Sequence, residues 1–462
     1  YRALRDIHAD EDTGNALRGP VVAREATNLF VQTDGPPVFV GGVDALSIVV
    51  SEGKVFVAPI GSDDIVKSMG AQFKNLGPAV QVSDVTRRKA YGLVRDQLSV
   101  WAERAWDTEN GGFVEALDFD GRPRIEKLRR VRVQARQIFS FAEGVSLGLD
   151  RTGRMAELVS LGVTHLRERW RLESGCWAST ADHRTKFINA EPDLYDHAFI
   201  VLAGASAYRA SEDKSALSLA EDALSAIETQ FADTNNGGYF ESPSADPSVA
   251  RRSNPHMHLL EALLALEEAV PGVGAIEKAG RIVELFETKF FDSKSDRLVE
   301  YFRPDWQIAS DAEGLIVEPG HHYEWATLLA LYQQKTGRDL SSWGRRMIRF
   351  ADRVGRSSTT GFAVNQIEPG GAVIDGNHRL WHQLEDFRSR LYFPETINPR
   401  AADILFDKVY DSYVAPTSTG LFFDRLNSEG QANAEDVPAS MLYHFITALS
   451  PLVSAISKSE KT

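Results

Sequence analysis

From about Val85 onward, apolar residues recur at helical spacing in stretches of roughly 15 to 20 residues. Short glycine- or tryptophan-marked turns interrupt them at Gly111-Gly112-Phe113, Gly175-Cys176-Trp177, Gly237-Gly238-Tyr239, Asp296-Arg297-Leu298, Gly361-Phe362 and Gly420-Leu421, about 60 residues apart. Each interval accommodates two helices. The pattern predicts outer helices near 86–105, 153–169, 214–231, 275–290, 341–355 and 398–412, and inner ones near 130–148, 195–210, 255–269, 320–335, 378–391 and 438–455. Twelve helices in six hairpins, with no strand run long enough for a central sheet, predict a mainly α fold, a closed (α/α)6 barrel with a concave site at one end of its axis. Residues 28–60 differ. Leu29–Val31, Val38–Val40, Ile48–Val50 and Val55–Val57 read as short strands separated by the turn signals Asp34-Gly35-Pro36-Pro37, Gly41-Gly42 and Glu52-Gly53-Lys54. A boundary near 70–84, around Gly70 and Gly77-Pro78, divides a β-rich segment (1–75) from the helical domain (76–462).

One register of the inner helices is chemically unusual. Arg136, His197, His258, His321, His382 and His444 succeed one another at intervals of 61–63 residues. Equivalent positions of a closed repeat stand at similar heights around the axis, so these six side chains are expected to converge on one pocket. His258, His321 and His382 are each followed three residues later by a glutamate, Glu261, Glu324 and Glu385, which places a carboxylate on the same helix face. Carboxylates favour the imidazolium and burial opposes it, so such groups exchange protons near neutral pH. His8 and His165 lie outside this register and read as surface residues. Beyond His256/His258 and His378/His382 no histidine pair with a third ligand stands out, so the expectation is no metal and no cofactor.

Charge narrows the partners. The 462 residues carry 51 Lys and Arg against 65 Asp and Glu, a net charge of −14, which argues against nucleic acid or an anionic membrane surface. No apolar run approaches the length needed to cross a bilayer, and the first thirty residues lack a basic start followed by an apolar stretch. The single cysteine, Cys176, excludes an intrachain disulfide framework and fits a reducing cytoplasm. Within this acidic chain, Arg251-Arg252 and the group Lys127, Arg129, Arg130 and Arg132 precede candidate site residues, where they can hold a phosphate.

Two resemblances follow. NPHMHLLEALLAL (254–266), EPGHHYEWATLLAL (318–331), DLYDHAF (193–199), QARQIFSFAEG (134–144) and RLWHQLE (379–385) resemble the N-acylglucosamine 2-epimerase superfamily over nearly all of residues 85–456. The resemblance implies an (α/α)6 barrel and metal-independent sugar chemistry at its axis. It equates Arg136 with the family's active-site arginine, His258 with the histidine of the N-x-x-M-H motif, and His321 and Glu324 with those of G-H-x-x-E. The family's final histidine stands two residues before the glutamate of W-x-x-x-E. Here that place is Gln383, with His382 one step earlier. Separately, residues 28–69, with their Gly-Val-Asp-Ala-Leu turn and Asp64-Ile65-Val66-Lys67, resemble the tail that follows the catalytic domain of mannose-1-phosphate guanylyltransferases. That family's nucleotide-binding glycine-rich loop is absent, so the segment is read as a small domain that packs or dimerises, with a homodimer as one expectation.

These residues point to proton transfer next to a carbonyl. Aldose–ketose isomerisation and C2 epimerisation both pass through a cis-enediol, and both need a base near the C2 hydrogen. The expected roles are His321 as that base, His382 as a second base, Glu324 as orienter, and Arg136 and His258 polarising O1 and O2. Glu261, His256, Asn254, Arg252, Tyr195, His197, Trp325, Trp381, Gln383 and Glu385 are expected to bind the sugar. The expectation is an isomerase of the mannose/fructose type acting on a small sugar or its 6-phosphate. A 2-epimerase is the alternative, and a glycoside hydrolase or non-catalytic scaffold stands further off.

Overall fold

The protein is described by a computed structural model covering residues 9–34, 36–51, 54–62, 82–244, 246, 249–397, 399–417 and 419–459. The chain divides into two compact units, Tyr1–Gln81 and Val82–Thr462. His8, Asp64–Lys67 and the expected boundary residues Gly70 and Gly77-Pro78 lie outside the described residues. Among the described residues, no helix is long and apolar enough to cross a membrane.

The first unit is β-rich, with two strands more than the apolar runs indicate. Its elements are β1 (Ala16–Arg18), β2 (Val21–Arg24), β3 (Phe30–Thr33), β4 (Val38–Gly41), β5 (Leu46–Ser51) and β6 (Lys54–Pro59). Among the described residues, parallel pairing joins β1 to β3, β3 to β5 and β2 to β4, and β5–β6 is the antiparallel pair. Strands β1 to β5 alternate between two sheets, so this part of the chain winds as a short β-coil, and β6 then folds back on β5. Ala26, Leu29, Val31 and Val40 fill its interior.

The second unit contains twelve α-helices among the described residues: α1 (Asp84–Arg104), α2 (Val131–Ser146), α3 (Arg154–Arg169), α4 (Leu194–Ser211), α5 (Lys214–Ala226), α6 (Ser253–Ala269), α7 (Ala275–Leu285), α8 (Pro319–Thr336), α9 (Ser341–Val354), α10 (Leu380–Tyr392), α11 (Pro399–Tyr413) and α12 (Met441–Ser459). The even-numbered helices form the inner ring of an (α/α)6 barrel and the odd-numbered ones the outer ring. Short polar residues set several starts: Ser83 Oγ accepts from Thr86 N at 3.2 Å and Asp213 Oδ1 from Ser215 N at 2.8 Å. Close packing of α4 on α5 requires Gly204, because a Cβ there would stand 2.6 Å from the Ala220 nitrogen. The ring closes where α1 meets α12 and where Ala116–Leu117 pairs with Val437–Pro438. Trp101, Trp170, Trp177 and Trp325 are fully buried within it; truncating such a residue to alanine costs about 3–5 kcal/mol.

Candidate active site

Five of the six repeats tie their turn to the start of the inner helix through one polar side chain. Gln134 Oε1 accepts from Phe113 N at 2.7 Å, and His197 Nε2 from Trp177 N at 3.2 Å. His256 Nε2 accepts from Tyr239 N at 3.1 Å, His322 Nε2 from Leu298 N at 3.0 Å and Gln383 Oε1 from Ala363 N at 2.9 Å. The three histidines donate Nδ1–H to the carbonyls of Asp193, Arg252 and Glu318, so they are neutral. Burial is the main cause holding their pKa values down, to about 4 for His197 and His322 and about 3 for His256. His197, His256 and Gln383 therefore hold the scaffold, and the expectation that they bind substrate is corrected. His165, expected at the surface, is buried, and a Cβ on Gly112 would meet its ring at 2.7 Å.

A step of two residues along a helix turns about 200° and reaches the opposite face. Two residues beyond the tethers stand Arg136, Phe199, His258, Glu324 and Glu385, directed toward the axis. The evenly spaced register of the sequence thus mixes helix faces: His197 is a tether, Arg136 and His258 lie two residues beyond one, and His321 and His382 one residue before. The cause is turn length. The tether lies 21, 20, 17, 24 and 20 residues from its turn in successive repeats, so equal sequence spacing is not equal structural position.

A cavity of about 430 Å³ opens at this end of the barrel. It brings together Arg136, Tyr195, Arg252, Asn254, His258, His321, Glu324 and Trp381 of the expected set, and adds Glu300, Tyr301, Glu318, Arg379, Arg425 and His444. His382, Glu261 and Glu385 lie outside its lining and are buried. Trp325 stacks on Phe286 at 4.9 Å, which makes it a core residue and corrects its expected contact with sugar. His382 is fully buried beside Trp381, its Nδ1 3.1 Å from Val364 O, so the expected second base does not face the cavity.

The imidazoles that do face it differ in charge. Burial alone would depress His321, but Glu300 at 3.1 Å and Glu318 at 3.7 Å raise it to about 10. It is an imidazolium at neutral pH, a resting state that suits an acid, whereas its expected role is that of the C2 base. His258 is held down to about 4 by burial, with Nδ1 3.3 Å from Glu261. His444 is pushed well below its ordinary value, first by burial and then by the Arg136 charge; its Nδ1 donates to Glu385 at 3.0 Å. Trp381 lies between His321 and His444, with ring centroids at 5.1 and 5.5 Å. Arg136 donates to the Tyr195 hydroxyl at 2.6 Å and lies over Phe199 and Tyr443, and among the described residues it has no carboxylate partner.

Below the cavity, Arg388 lies 3.6 Å from Glu261 and 3.2 Å from Glu385. Burial works against a charge on Glu261, yet His258, Arg388 and Tyr443 bring its pKa down to about 2. Burial, followed by the Glu385 and Glu261 charges, pushes the Glu324 carboxyl well above its ordinary value. Two donor clusters, His258/Glu261/Glu324 and Glu324/Glu385/His444, have spacings that can hold a metal ion. Their chemistry suits one poorly, since the Arg388 guanidinium already provides a counter-charge to Glu261 and Glu385.

Of the residues the sequence did not single out, Glu300 had a legible signal: like Glu115 and Glu241 it stands two residues after the turn residue that is tethered. The basic clusters behave differently from expectation. Arg129 and Arg251 form buried pairs with Asp107 at 2.5 Å and Asp233 at 2.8 Å. Arg132 pairs with Asp196 at 3.4 Å, and Lys127 with Asp436. A neighbouring groove of about 630 Å³ shares Arg252 and Tyr301 with the cavity but is lined by acidic groups, including Glu191, Asp193, Glu241, Asp311 and Glu313, and holds no histidine.

A family model described as N-acylglucosamine 2-epimerase (GlcNAc 2-epimerase) matches residues 111–448. A protein of Rhizobium meliloti (strain 1021) named mannose-6-phosphate isomerase is 29% identical over 378 residues, which cover 78% of this chain and 95% of that protein. The crystal structure of a D-mannose isomerase superposes with a TM-score of 0.72 at 20% identity, covering 82% of this chain and 99% of that one. For the cellobiose 2-epimerase of Bacillus thermoamylovorans B4167 the TM-score is 0.69 at 18% identity, covering 79% and 99%. The chain belongs to the N-acylglucosamine 2-epimerase family, whose members here are sugar isomerases and epimerases.

Proposed function

We propose that this member of the family is an aldose–ketose isomerase of the mannose/fructose type. The observation that carries the reading is the meeting, in one cavity, of the imidazolium His321 with the neutral imidazoles His258 and His444 beside Arg136. An enediol route needs an acid and a base of this kind at the same time.

In this reading the His444 Nδ1–H is fixed on Glu385, which leaves the Nε2 lone pair to take the C2 proton of the open-chain aldose. His321 gives its proton to O1 as the enediol forms and takes back the proton of O2 as the ketone forms. His444 then delivers its proton to C1. The products are the ketose and the starting enzyme. Arg136 stabilises the developing oxyanion, and Glu324, beside His258 at the cavity floor, helps to position the sugar hydroxyls. A 2-epimerase instead needs proton return to the opposite face of C2, and His258 is the remaining neutral imidazole for that step. Against a glycosidase, Glu300 and Glu318, two carboxylates of the mouth, are engaged with His321.

Proton NMR with mannose in deuterated water tests the assignment. Deuterium is expected at C1 of fructose and at C2 of recovered mannose. His444→Ala is expected to reduce both product and exchange by about 10²–10⁴-fold with the fold retained. Full exchange in that variant removes His444 as the base. Glucose as the sole product identifies the epimerase.

A further inference from the structure

The ring of inner helices starts with a charge pattern that the barrel itself makes interpretable. Four residues before the tethers stand Arg130, Asp193, Arg252, Glu318 and Arg379, each at the cavity or its neighbouring groove. Two residues after the tethered turn residue stand Glu115, Ser179, Glu241, Glu300 and Asn365. In the first repeat Glu115 accepts from the Arg130 backbone N at 3.2 Å and also pairs with the Arg130 guanidinium. In the third repeat Glu241 accepts from the Arg252 backbone N at 2.8 Å and from its guanidinium Nε at 2.7 Å. The fifth repeat keeps the backbone bond, Arg379 N to Asn365 Oδ1 at 2.9 Å, but replaces the carboxylate with a neutral amide. Asn365 Nδ2 in turn donates to Asp375 at 2.9 Å. Among the described residues no carboxylate forms an ion pair with the Arg379 guanidinium, although Asp375 and Asp424 act on it at longer range.

A second arginine faces this one. Arg379 is the direct antiparallel partner of Arg425 in the ribbon of His378–Arg379 with Arg425–Leu426. Arg425 meets Asp424 only at 3.8 Å, and both arginines are exposed to the cavity. Like charges directly opposed on a ladder destabilise it, so this juxtaposition calls for an anion. Two guanidinium groups present the paired N–H donors that a phosphoryl group accepts.

We propose that Arg379 and Arg425 form a phosphomonoester subsite, and that the substrate is a hexose phosphate with its phosphate at the cavity mouth. The proposal rests on the aldose–ketose reading for where the sugar carbons lie. The phosphate cannot be on C1, because a C1 ester cannot open to the aldehyde on which isomerisation depends. The primary C6 hydroxyl, remote from the reacting carbons, is the position that leaves C1 and C2 free. Asn365 is then a specificity determinant: it gives up the neutralising carboxylate of the other two arginine repeats and leaves Arg379 for the ligand.

The test is calorimetric binding of mannose, mannose 6-phosphate and inorganic phosphate to the full chain and to the Arg379→Ala and Asn365→Glu variants. Mannose 6-phosphate is expected to bind more tightly than mannose, and each variant to cut that preference by about 10- to 100-fold, the value of a charge-assisted hydrogen bond. Asn365→Glu leaves both arginines in place, so its effect separates lost charge from lost packing, and its thermal unfolding checks the fold. Equal affinities for the two sugars, or a preference unchanged in both variants, overturns the subsite even if mannose is isomerised. Binding that depends on Arg379 without any turnover supports the subsite while refuting the isomerase assignment.

Discussion

Glu300→Gln isolates the electrostatics of the proposed acid. The glutamine keeps the shape and an acceptor oxygen for Ser253 Oγ, which donates to Glu300 Oε2 at 3.2 Å, but removes the charge 3.1 Å from His321 Nδ1. At an effective dielectric constant of about 20, opposite unit charges at that distance interact by about 5 kcal/mol. At about 1.4 kcal/mol per pH unit this is worth about four pH units. The pKa of His321, raised to about 10 by its two carboxylates against burial, should therefore fall to about 6, with Glu318 still in place. The assay is the pH dependence of kcat/KM for the aldose, which reports ionisations of the free enzyme. The wild-type alkaline limb is expected near pH 10, and that of Glu300→Gln near pH 6, so at pH 8 the variant is slow and recovers as the pH is lowered. Stability gives a second readout with a definite sign. The folded pKa of His321 lies above its ordinary 6.5, so its stabilising contribution is complete below about pH 6.5 and lost as pH rises through about 10. Glu300→Gln should consequently lower Tm most in acid and little above pH 10. An alkaline limb that stays above pH 9 in the variant refutes the argument.

Chelation is expected to leave turnover unchanged, because Arg388 supplies the counter-charge among Glu261 and Glu385; loss with EDTA and recovery with a divalent ion would contradict this. A chain beginning at Val82, the start of the barrel unit, is expected to fold and isomerise, checked by circular dichroism and the same NMR assay. His256→Ala leaves the buried Tyr239 N–H without its acceptor and should cost about 1–3 kcal/mol in urea unfolding, with the shape of the pH–rate profile unchanged.

The barrel was legible because it rests on period. The 3.6-residue apolar spacing and six recurring turns set the helices close to their observed bounds, and the closed ring follows from their number. The motif residues Arg136, His258, His321 and Glu324 line one cavity. What the sequence could not show was facing. His256 and His258 are two residues apart on one helix, yet one tethers a turn and the other meets the cavity, because two helical steps nearly reverse direction. Charge state was equally hidden: His321 is an imidazolium through Glu300, which comes from a turn 21 residues earlier and not from its own helix. The β-coil was missed for a related reason, since apolar triplets and turns look alike whether strands pair with the next strand or with the one after.

The seam of the ring has a kinetic consequence. Ser83 N donates to Asp403, Gln97 Nε2 to Gly420 O and Gln137 Nε2 to Ala439 O, contacts that span 320, 323 and 302 residues. The turn tethers span only 17 to 24 residues, so each hairpin can form from local contacts while the seam waits on the largest loop closure in the domain. Arg136 comes from the first repeat and His444 from the last, on opposite sides of that seam. During refolding, helix content should therefore return before catalysis, and the first turnover marks the moment the ring shuts.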